Sequence, residues 1–540
     1  MILGTFRTQK NQINDLTQKR NLAVKPLSSA ATFQPSCCTP QIAEPPVNMS
    51  GMPRQAITLS RYEVMVLLGG LIVLGCVRLV GMFLVPLTDT TEARYAEIAR
   101  KMVETQDWIT PQFDYQIPFW GKPPLHTWLS ALGMELFGVN AFGARILIFT
   151  CAIVLLFLLF RWVRQNLGSG AGLCVVSVLS SSILFFGASA FVMTDLVLVF
   201  GTTLVMMSLW QAMCAEAPRS RAAWPAFVGL AIGLLAKGPV ALVLCVIPIA
   251  LWALLSGQTR SLLRVRWGTG ALLTLLLALP WYVLAELKTP GFLNYFLVGE
   301  HFERFTVPDW QGDLYGSGHE RPKGAIWADW TLAFLPWSLF LIPLILKPSR
   351  LKSAFVSDRS GWLLYLLCWS LSPMILFTLS ANILAAYTLP SLPAASILIV
   401  CLYSVIWSGA DQSIIRVCFA GGLLGILAVW TIMVTLAHVQ PDALKLRSAK
   451  VLVSTLGQID EDATLYYLGR RSYSGEFYTH GHAQVIPDLS QLNDHIQALA
   501  VPLHNEASDL EKIADDFERI GQFGRHVLFY RSLPASEVKQ

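Results

Sequence analysis

The segment 87–125, LTDTTEARYAEIARKMVETQDWITPQFDYQIPFWGKPPL, concentrates acidic, basic and aromatic side chains in a chain that is otherwise apolar. Asp89 and Glu92 supply carboxylates, and Arg94 and Lys122 supply cations. Aromatic side chains that suit a membrane interface accompany them: Trp108, Phe119 and Trp120. Carboxylates, fixed cations and interfacial aromatics together predict a site for a phosphate-bearing lipid.

Two of these residues, Glu92 and Arg94, lie in the stretch TEARYAEIARKMVE, which has a helical pattern. Its apolar stripe consists of Tyr95, Ile98, Ala99 and Met102, and its other faces carry Arg94, Glu97 and Lys101. The pattern predicts an amphipathic helix at the membrane interface. Asp89 and Glu92 lie at its start, so the alternative to a functional role is that they only cap the helix.

Composition indicates a polytopic membrane protein. The chain has 540 residues, of which 54% are hydrophobic and only 14% charged, with a mean hydropathy of +0.52. Soluble proteins carry about 25% charged residues. The net charge of +5 predicts no nucleic-acid partner, because basic cytoplasmic loops alone produce such an excess.

Apolar runs of about twenty residues, the length that crosses a bilayer, recur between Tyr62 and Leu436. We expect a polytopic all-α membrane protein of about 11–13 transmembrane helices with a small C-terminal soluble α/β domain. The spans predicted from the sequence are 62–85, 141–161, 171–188, 191–213, 225–236, 239–256, 268–286, 331–347, 361–379, 384–407 and 415–436.

The loops between these spans alternate in charge, which predicts their sides. By the positive-inside rule, the basic loops are cytoplasmic. They carry Arg161, Arg164, Arg219, Arg221, Arg260, Arg264, Arg266, Lys347, Arg350 and Lys352. The opposite, external side receives loops 86–140 and 287–330 and the C-terminal part, so the reactive polar groups gather at one rim.

The two ends of the chain differ from the middle. Residues 1–60 are polar and aperiodic, without a signal-peptide core, and are expected to form a disordered cytoplasmic extension; Met49 and Met52 are alternative starts. Residues 61–438 form the predicted membrane domain. Residues 439–540 are expected to form an external α/β domain.

Within the C-terminal part, AKVLVSTL, ATLYYLG, AQVIPD and HVLFYRS are typical of strands, and DLSQLNDHIQALA and SDLEKIADDFERIG of helices. His480 and His482 could bind a metal, although two histidines in a solvated loop are the simpler interpretation.

The motifs resemble a known family. DTTEARYAEIARKM, DWITPQFDYQIPFWGKPPLHTWLSALGMELFGVNAFGARI, FVMTDLVLVF, GLLAKGPVALVL, FLNYFLVGEHFERF and YTLPSLPAASIL occur in order. The set resembles bacterial glycosyltransferases similar to the lipid A aminoarabinose transferase (ArnT) and to protein O-mannosyltransferases, which have the GT-C fold. The resemblance spans about 62–436, with a weaker likeness in the tail.

The resemblance implies transfer of a sugar from a polyprenyl (undecaprenyl) phosphate donor to an acceptor at the periplasmic face of the bacterial inner membrane, with inversion. The N-terminus would be cytoplasmic and the C-terminal domain periplasmic. Cations must neutralise the charge on the leaving phosphate. The substrate-binding candidates are Arg94, Tyr95, Lys122, Lys237, His301, Arg304 and Tyr387. For Lys237, the alternative is interfacial snorkelling.

The candidate catalytic acids are Asp89, Glu92 and Asp195. An acceptor hydroxyl needs a carboxylate to take its proton, whereas an acceptor phosphate is already anionic. Asp195 lies near the outer end of an apolar span, where an isolated charge suggests function. The alternative to a functional role is that Asp195 only caps the start of a helix.

Three positions depart from the family pattern. The usual Asp-Glu pair before Arg-Tyr is here Thr91 and Glu92, so the acidic role falls to Asp89 or Glu92. Gly121 stands where relatives that act on lipid A often have Glu, and Asn382 where relatives often have Lys. No cofactor is certain, but a divalent metal ion stays open, with the candidates Glu300, His301 and His319.

Two other classes of protein are alternatives to a transferase: a transporter and a structural or interaction protein. A transporter or flippase for a lipid-linked substrate would need ionisable residues deep in several spans, and the sequence mostly lacks them. A structural or interaction protein would not need the polar loops. The expected partners are the sugar donor, membrane lipids and an acceptor: first lipid A or another envelope glycolipid, second a protein Ser/Thr.

Overall fold

The computed structural model describes residues 57–214, 220–308, 310–316, 320–407, 411–440, 446–493, 495–503, 513 and 516–532. The predicted N-terminal extension lies outside these residues, apart from its last four positions. The helices before residue 289 are α1 (Arg61–Leu84), α2 (Thr91–Thr105), α3 (Leu125–Phe137), α4 (Ala141–Leu167), α5 (Ser169–Ser181), α6 (Ile183–Ala188), α7 (Thr194–Cys214), α8 (Trp224–Lys237), α9 (Val240–Leu255) and α10 (Trp267–Lys288).

Short segments of other helix types occur between these helices and in the C-terminal part, and further α-helices follow α10. A π-helix covers Tyr295–Glu303, and 3₁₀ segments cover Ser220–Ala223, Thr259–Arg264, Trp337–Phe340, Ala385–Ser391 and Leu489–Gln491. The remaining helices are α11 (Phe292–Asn294), α12 (Arg304–Thr306), α13 (Ala325–Ala333), α14 (Leu341–Ile345), α15 (Pro348–Ser357), α16 (Trp362–Thr378), α17 (Leu392–Ile406), α18 (Asp411–Val439), α19 (Lys450–Ile459) and α20 (Tyr473–Tyr478).

The chain is a multi-pass membrane protein. Within the described residues, six helices are long and apolar enough to cross a membrane, or up to eight if each bent helix pair counts as one span, and three shorter apolar helices accompany them. Every predicted span falls on a helix or on a broken pair of helices. One pair, Ala325–Ala333 with Trp337–Ile345, bends by 100°, at Pro336, whose missing N–H interrupts the helical hydrogen bonds.

The centre of the bundle is α7, which is buried along almost its whole length and packs along α8. Gly201 of α7 and Gly229 of α8 allow this approach. A Cβ on Gly201 would lie 2.5 Å from the carbonyl oxygen of Gly229, and a Cβ on Gly229 would lie 2.6 Å from that of Gly201. Small residues at such a crossing let two membrane helices pack backbone to backbone.

Outside the bundle, the segment 87–125 forms α2 and a small hairpin of β1 (Gln112–Asp114) and β2 (Ile117–Pro118). α3 follows this segment and packs on both α2 and α4. The spans predicted from hydropathy do not include α3, because its thirteen residues are fewer than a span needs.

The C-terminal part contains a five-stranded mixed sheet in the order β4-β3-β5-β7-β6. Strands β3 and β4, and β3 and β5, are parallel, whereas β7 is antiparallel to both β5 and β6. The strands are β3 (Leu465–Leu468), β4 (Gln484–Ile486), β5 (Ala498–Pro502), β6 (Glu518–Phe523) and β7 (His526–Tyr530).

Three of the predicted strands in this part are present, as β3, β4 and β7. AKVLVSTL is wrong: it begins α19, which buries Leu452 and Leu456 at i, i+4. DLSQLNDHIQALA is also wrong, because its end forms β5, a strand buried at every position that a short apolar run does not distinguish from a helix. Half of SDLEKIADDFERIG lies outside the described residues, and its end forms β6.

Candidate functional site

Acidic and basic side chains from distant parts of the chain meet at one rim of the bundle. Lys122 Nζ lies 2.7 Å from Glu300 Oε2, and Arg304 Nη1 lies 3.1 Å from Glu300 Oε1. Arg304 also contacts Asp313 at 3.1 Å. Lys237 Nζ lies 2.5 Å from Asp195 Oδ1.

Tyr387 joins the two ionic groups. Its ring lies under Lys237, with 4.4 Å from Nζ to the ring centroid, and its hydroxyl interacts electrostatically with Arg304, Lys122, Asp195 and Glu300. We name the seven residues the rim cluster: Lys122, Asp195, Lys237, Glu300, Arg304, Asp313 and Tyr387.

Helix ends position most of the rim cluster. Asp195 lies in the first turn of α7, and Lys237 is the last residue of α8, the ends at which an acid and a cation complement the helix dipole. Lys122 precedes α3, and Glu300 and Arg304 are four residues apart on one helical face.

The charges in the rim cluster balance each other. Glu300 is buried, which by itself raises the pKa of its carboxyl, but Lys122 and Arg304 outweigh burial and hold the pKa below its usual value. Glu300 is therefore ionised at neutral pH, and three cations face three carboxylates. Such a site can exchange a carboxylate for an anionic ligand without leaving a cation unpaired.

Of the three metal candidates, the structure describes Glu300 and His301, and neither is free to bind a metal ion. His301 turns both ring nitrogens toward backbone carbonyls, Nδ1 at 2.7 Å from Phe296 O and Nε2 at 3.1 Å from Lys237 O. Glu300 is paired with cations, and His319 lies outside the described residues. Among the residues that the structure describes, no group of three His, Cys, Asp or Glu side chains could hold a metal ion.

Asp89, a predicted catalytic acid, contacts the C-terminal part. Its Oδ1 accepts a hydrogen bond from Ser474 N (2.9 Å), and its Oδ2 accepts from the hydroxyls of Ser472 (2.9 Å) and Ser474 (2.6 Å). Burial raises the pKa of its carboxyl despite these donors. The contacts give Asp89 a structural role, and its catalytic role stays a prediction.

We expect Ser474→Ala to lower the free energy of unfolding by about 1–3 kcal/mol, because Ser474 Oγ both donates to Asp89 and accepts from Ala449 N and both partners lose a bond. Ser454→Ala is the control, since that hydroxyl is exposed and bonds only within its own helix. Denaturant unfolding of the two purified variants measures the difference, and equal midpoints would contradict it.

Glu92 is fully buried and paired with an arginine that the sequence analysis did not single out. Both of its carboxylate oxygens lie 2.8 Å from Arg145 nitrogens. Arg145 also donates to the carbonyls of Met82, Val85 and Pro86. The pair fixes the connection between α1 and α2. A lone arginine in the apolar stretch AFGARILIF was the available signal.

Arg94 and Tyr95 lie side by side on α2 without sharing an ion pair with the rim cluster. Arg94 Nη1 donates to the carbonyl of Tyr315 at 2.6 Å, next to Asp313. Tyr95 is buried and packs edge-to-face on His126 at 4.8 Å. Arg94 is thus held by the backbone two residues along the chain from Asp313, whereas the buried Tyr95 ring packs against His126 of α3.

The polar faces of α2 are covered by protein. The sequence instead predicts an amphipathic helix lying at the membrane interface. Glu97 and Lys101 are 1% exposed. Glu97 contacts Arg100 at 2.7 Å, and Lys101 contacts Glu476 of α20 at 3.7 Å. The C-terminal part packs on this polar surface through ion pairs, so the amphipathic pattern arose from a protein contact.

Two departures from the family pattern have structural counterparts. A Cβ on Gly121 would lie 3.0 Å from Phe119 Cζ, so aromatic rings occupy the room that a larger residue would need. Asn382 is 3% exposed and donates to Arg304 O and Val307 O, and its Oδ1 has no hydrogen-bond partner in the described part of the chain. It supports the backbone of the Arg304 segment.

Comparison with known proteins agrees with this architecture. The sequence pattern of the dolichyl-phosphate-mannose-protein mannosyltransferase family matches residues 66–296. The crystal structure of ArnT from Cupriavidus metallidurans bound to undecaprenyl phosphate superposes with a TM-score of 0.68, at 17% identity, covering 87% of this chain and 98% of that one. The chain has the overall fold of ArnT, the GT-C fold. The fold class predicted from the sequence is thereby confirmed.

Curated relatives match part of the chain. The undecaprenyl phosphate-α-4-amino-4-deoxy-L-arabinose arabinosyl transferase of Edwardsiella ictaluri is 32% identical over 313 residues, 57% of this chain and 54% of the relative. The enzyme of the same name from Pseudomonas aeruginosa PAO1 is 32% identical over 323 residues, 57% of this chain and 55% of the relative. The match thus spans about half the length of these relatives.

Proposed function

We propose that this protein transfers a sugar from an undecaprenyl phosphate donor to lipid A or another envelope glycolipid by an inverting displacement. The observation that carries the proposal is the rim cluster, in which three cations converge at one end of a GT-C bundle. The relatives' names supply the first donor to test, undecaprenyl phosphate-linked 4-amino-4-deoxy-L-arabinose.

Departure of the phosphate from the sugar depends more on cations that stabilise the leaving group than on a general base. As the bond between the sugar and the phosphate breaks, negative charge grows on the phosphate oxygens, and preorganised cations lower the barrier. Lys122, Lys237 and Arg304 would receive this phosphate, displacing Glu300 or Asp195 from one of them. Arg94 adds a fourth cation beside Asp313.

The acceptor decides what the carboxylates do. A lipid A phosphate is already anionic, with a second pKa near 6, so it attacks without a base. Asp195 and Glu300 would then orient Lys237, Lys122 and the incoming ligand. Asp89 and Glu92 remain candidates for the same task.

We further propose the orientation that the loop charges favour. The protein would lie in the bacterial inner membrane, with the rim cluster, loops 86–140 and 287–330 and the part after residue 439 on the periplasmic side, and the N-terminus in the cytoplasm. A reporter fused after Gln540 that is active only in the periplasm tests this orientation, and activity only in the cytoplasm would contradict it.

A protein Ser/Thr acceptor is the second candidate, because the mannosyltransferase family pattern covers 66–296. A hydroxyl acceptor must lose a proton during the displacement. Asp195 is the carboxylate best placed to take it, since it lies in the rim cluster beside Lys237.

Reconstitution separates these candidates. Purified protein in proteoliposomes receives undecaprenyl phosphate-aminoarabinose together with lipid A or a Ser/Thr-rich peptide, and products are identified by mass spectrometry. We expect lipid A to gain the mass of one sugar residue. Modification of the peptide alone would favour the second candidate. Movement of the donor across the membrane without any new glycosidic bond would contradict both.

A further inference from the structure

A long apolar groove lies on the side of the bundle, formed by α1, α4, α5 and α6. Its volume is about 760 Å³. Along α1 it runs from Val64 to Arg78, fourteen residues or about 21 Å of helix. The wall is almost entirely aliphatic and aromatic, and no residue of the rim cluster contributes to it.

Among the described residues, one charged side chain lines this groove. Arg78 donates through Nε to Ser189 Oγ at 3.3 Å and through Nη2 to Gly187 O at 2.5 Å. Its guanidinium also lies 5.4 Å from the ring centroid of Phe186. These contacts hold the side chain in place at the end of the groove where α6 terminates.

The charge of Arg78 is not balanced by protein. Across the described ranges, no carboxylate lies within ion-pair distance of its guanidinium, and its Nη1 has no hydrogen-bond acceptor there. A cation in an apolar membrane environment is costly unless an anion meets it. Arg78 lies six residues before Leu84, the last residue of α1, a depth that lets the guanidinium meet groups at the membrane interface.

We propose that this groove binds an anionic phospholipid, with its phosphodiester headgroup on Arg78 and an acyl chain along α1. The groove offers one uncompensated positive charge, which matches the single negative charge of a phosphodiester. A polyprenyl phosphate is a monoester with a charge closer to −2 and would remain half unbalanced. The site is separate from the rim cluster and does not rest on the proposed sugar transfer.

The need for the positive charge of Arg78 is tested with Arg78→Met, which keeps an unbranched apolar side chain. Protein solubilised in mild detergent is exchanged into mixed vesicles of phosphatidylglycerol and phosphatidylethanolamine, re-extracted, and its retained lipid quantified by native mass spectrometry. We expect the wild type to retain phosphatidylglycerol preferentially and Arg78→Met to retain about tenfold less, because a charged hydrogen bond is lost. Arg78→Lys should keep an intermediate preference.

Shape is tested at two glycines of the same helix. A Cβ at Gly75, which lines the groove, or at Gly69, which does not, would meet no atom within 4 Å. Gly75→Leu should therefore fill the groove and reduce phosphatidylglycerol retention without altering any charge, and Gly69→Leu is the matched control. Both variants are expected to fold, since a Cβ at either position meets no atom within 4 Å.

Three results would overturn the proposal. These are equal retention of the two phospholipids by the wild type, unchanged retention in both Arg78→Met and Gly75→Leu, and preferential capture of undecaprenyl phosphate when it is added to the vesicles at equal concentration. The last result would assign the groove to a carrier lipid instead.

Discussion

Lys237→Met is expected to lower kcat/KM for sugar transfer by about 10²- to 10³-fold, the loss that follows removal of one preorganised group that stabilises developing negative charge. Lys237 is held by Asp195 at 2.5 Å and by the ring of Tyr387, so its position is fixed before the donor arrives. Steady-state transfer to the acceptor, measured by mass spectrometry, gives the ratio.

Two further variants separate catalysis from stability. Lys237→Met leaves the buried Asp195 unpaired, which destabilises the fold, whereas Asp195→Asn/Lys237→Met removes both charges. The double variant should regain the wild-type free energy of unfolding to within about 1 kcal/mol. It should not regain sugar transfer.

Lys288→Met is the control for loss of a lysine at a helix end. Lys288 ends α10, is 45% exposed and pairs with Asp107 at 2.7 Å, and exposed pairs contribute about 0–1 kcal/mol. Its transfer rate should stay near that of the wild type. If Lys237→Met also kept the wild-type rate, Lys237 would be only a snorkelling residue at a helix end.

The sequence was sufficient for the bundle but not for the contacts within the site. Apolar runs predict spans because a membrane requires about twenty apolar residues of helix. α3 has thirteen residues and escaped this criterion. The pairing of Lys237 with Asp195 is set by how α7 packs on α8, and no local pattern encodes that packing.

The C-terminal part shows the same limit. β3 and β7 were predictable, since each is a short apolar run with two aromatic residues, which are typical of strands. β5 was not: its residues Ala498–Pro502 form a buried strand through pairing with β3 and β7. Likewise, the polar faces of α2 suggested an interface with water and lipid, but the ion pair of Lys101 with Glu476 depends on a segment more than three hundred residues away.

Arg145→Met is expected to lower the free energy of unfolding by about 3–5 kcal/mol, because it leaves the Glu92 carboxylate buried and unpaired. The variant also deprives the carbonyls of Val85 and Pro86 of their donor. Arg161→Met on the same helix is the control, since Arg161 is exposed and surface substitutions usually change stability by less than about 0.5 kcal/mol. Thermal unfolding in detergent measures both.

The same pair decides what Glu92 does. Glu92→Gln alone should be nearly as destabilising as Arg145→Met, whereas Glu92→Gln/Arg145→Met removes both charges and should recover at least half of the lost stability. If Glu92 serves only to fix the connection between α1 and α2, the double variant will transfer sugar at a rate that follows its folded fraction. A stable, folded double variant with kcat reduced more than about 10²-fold would instead support the catalytic role predicted for Glu92.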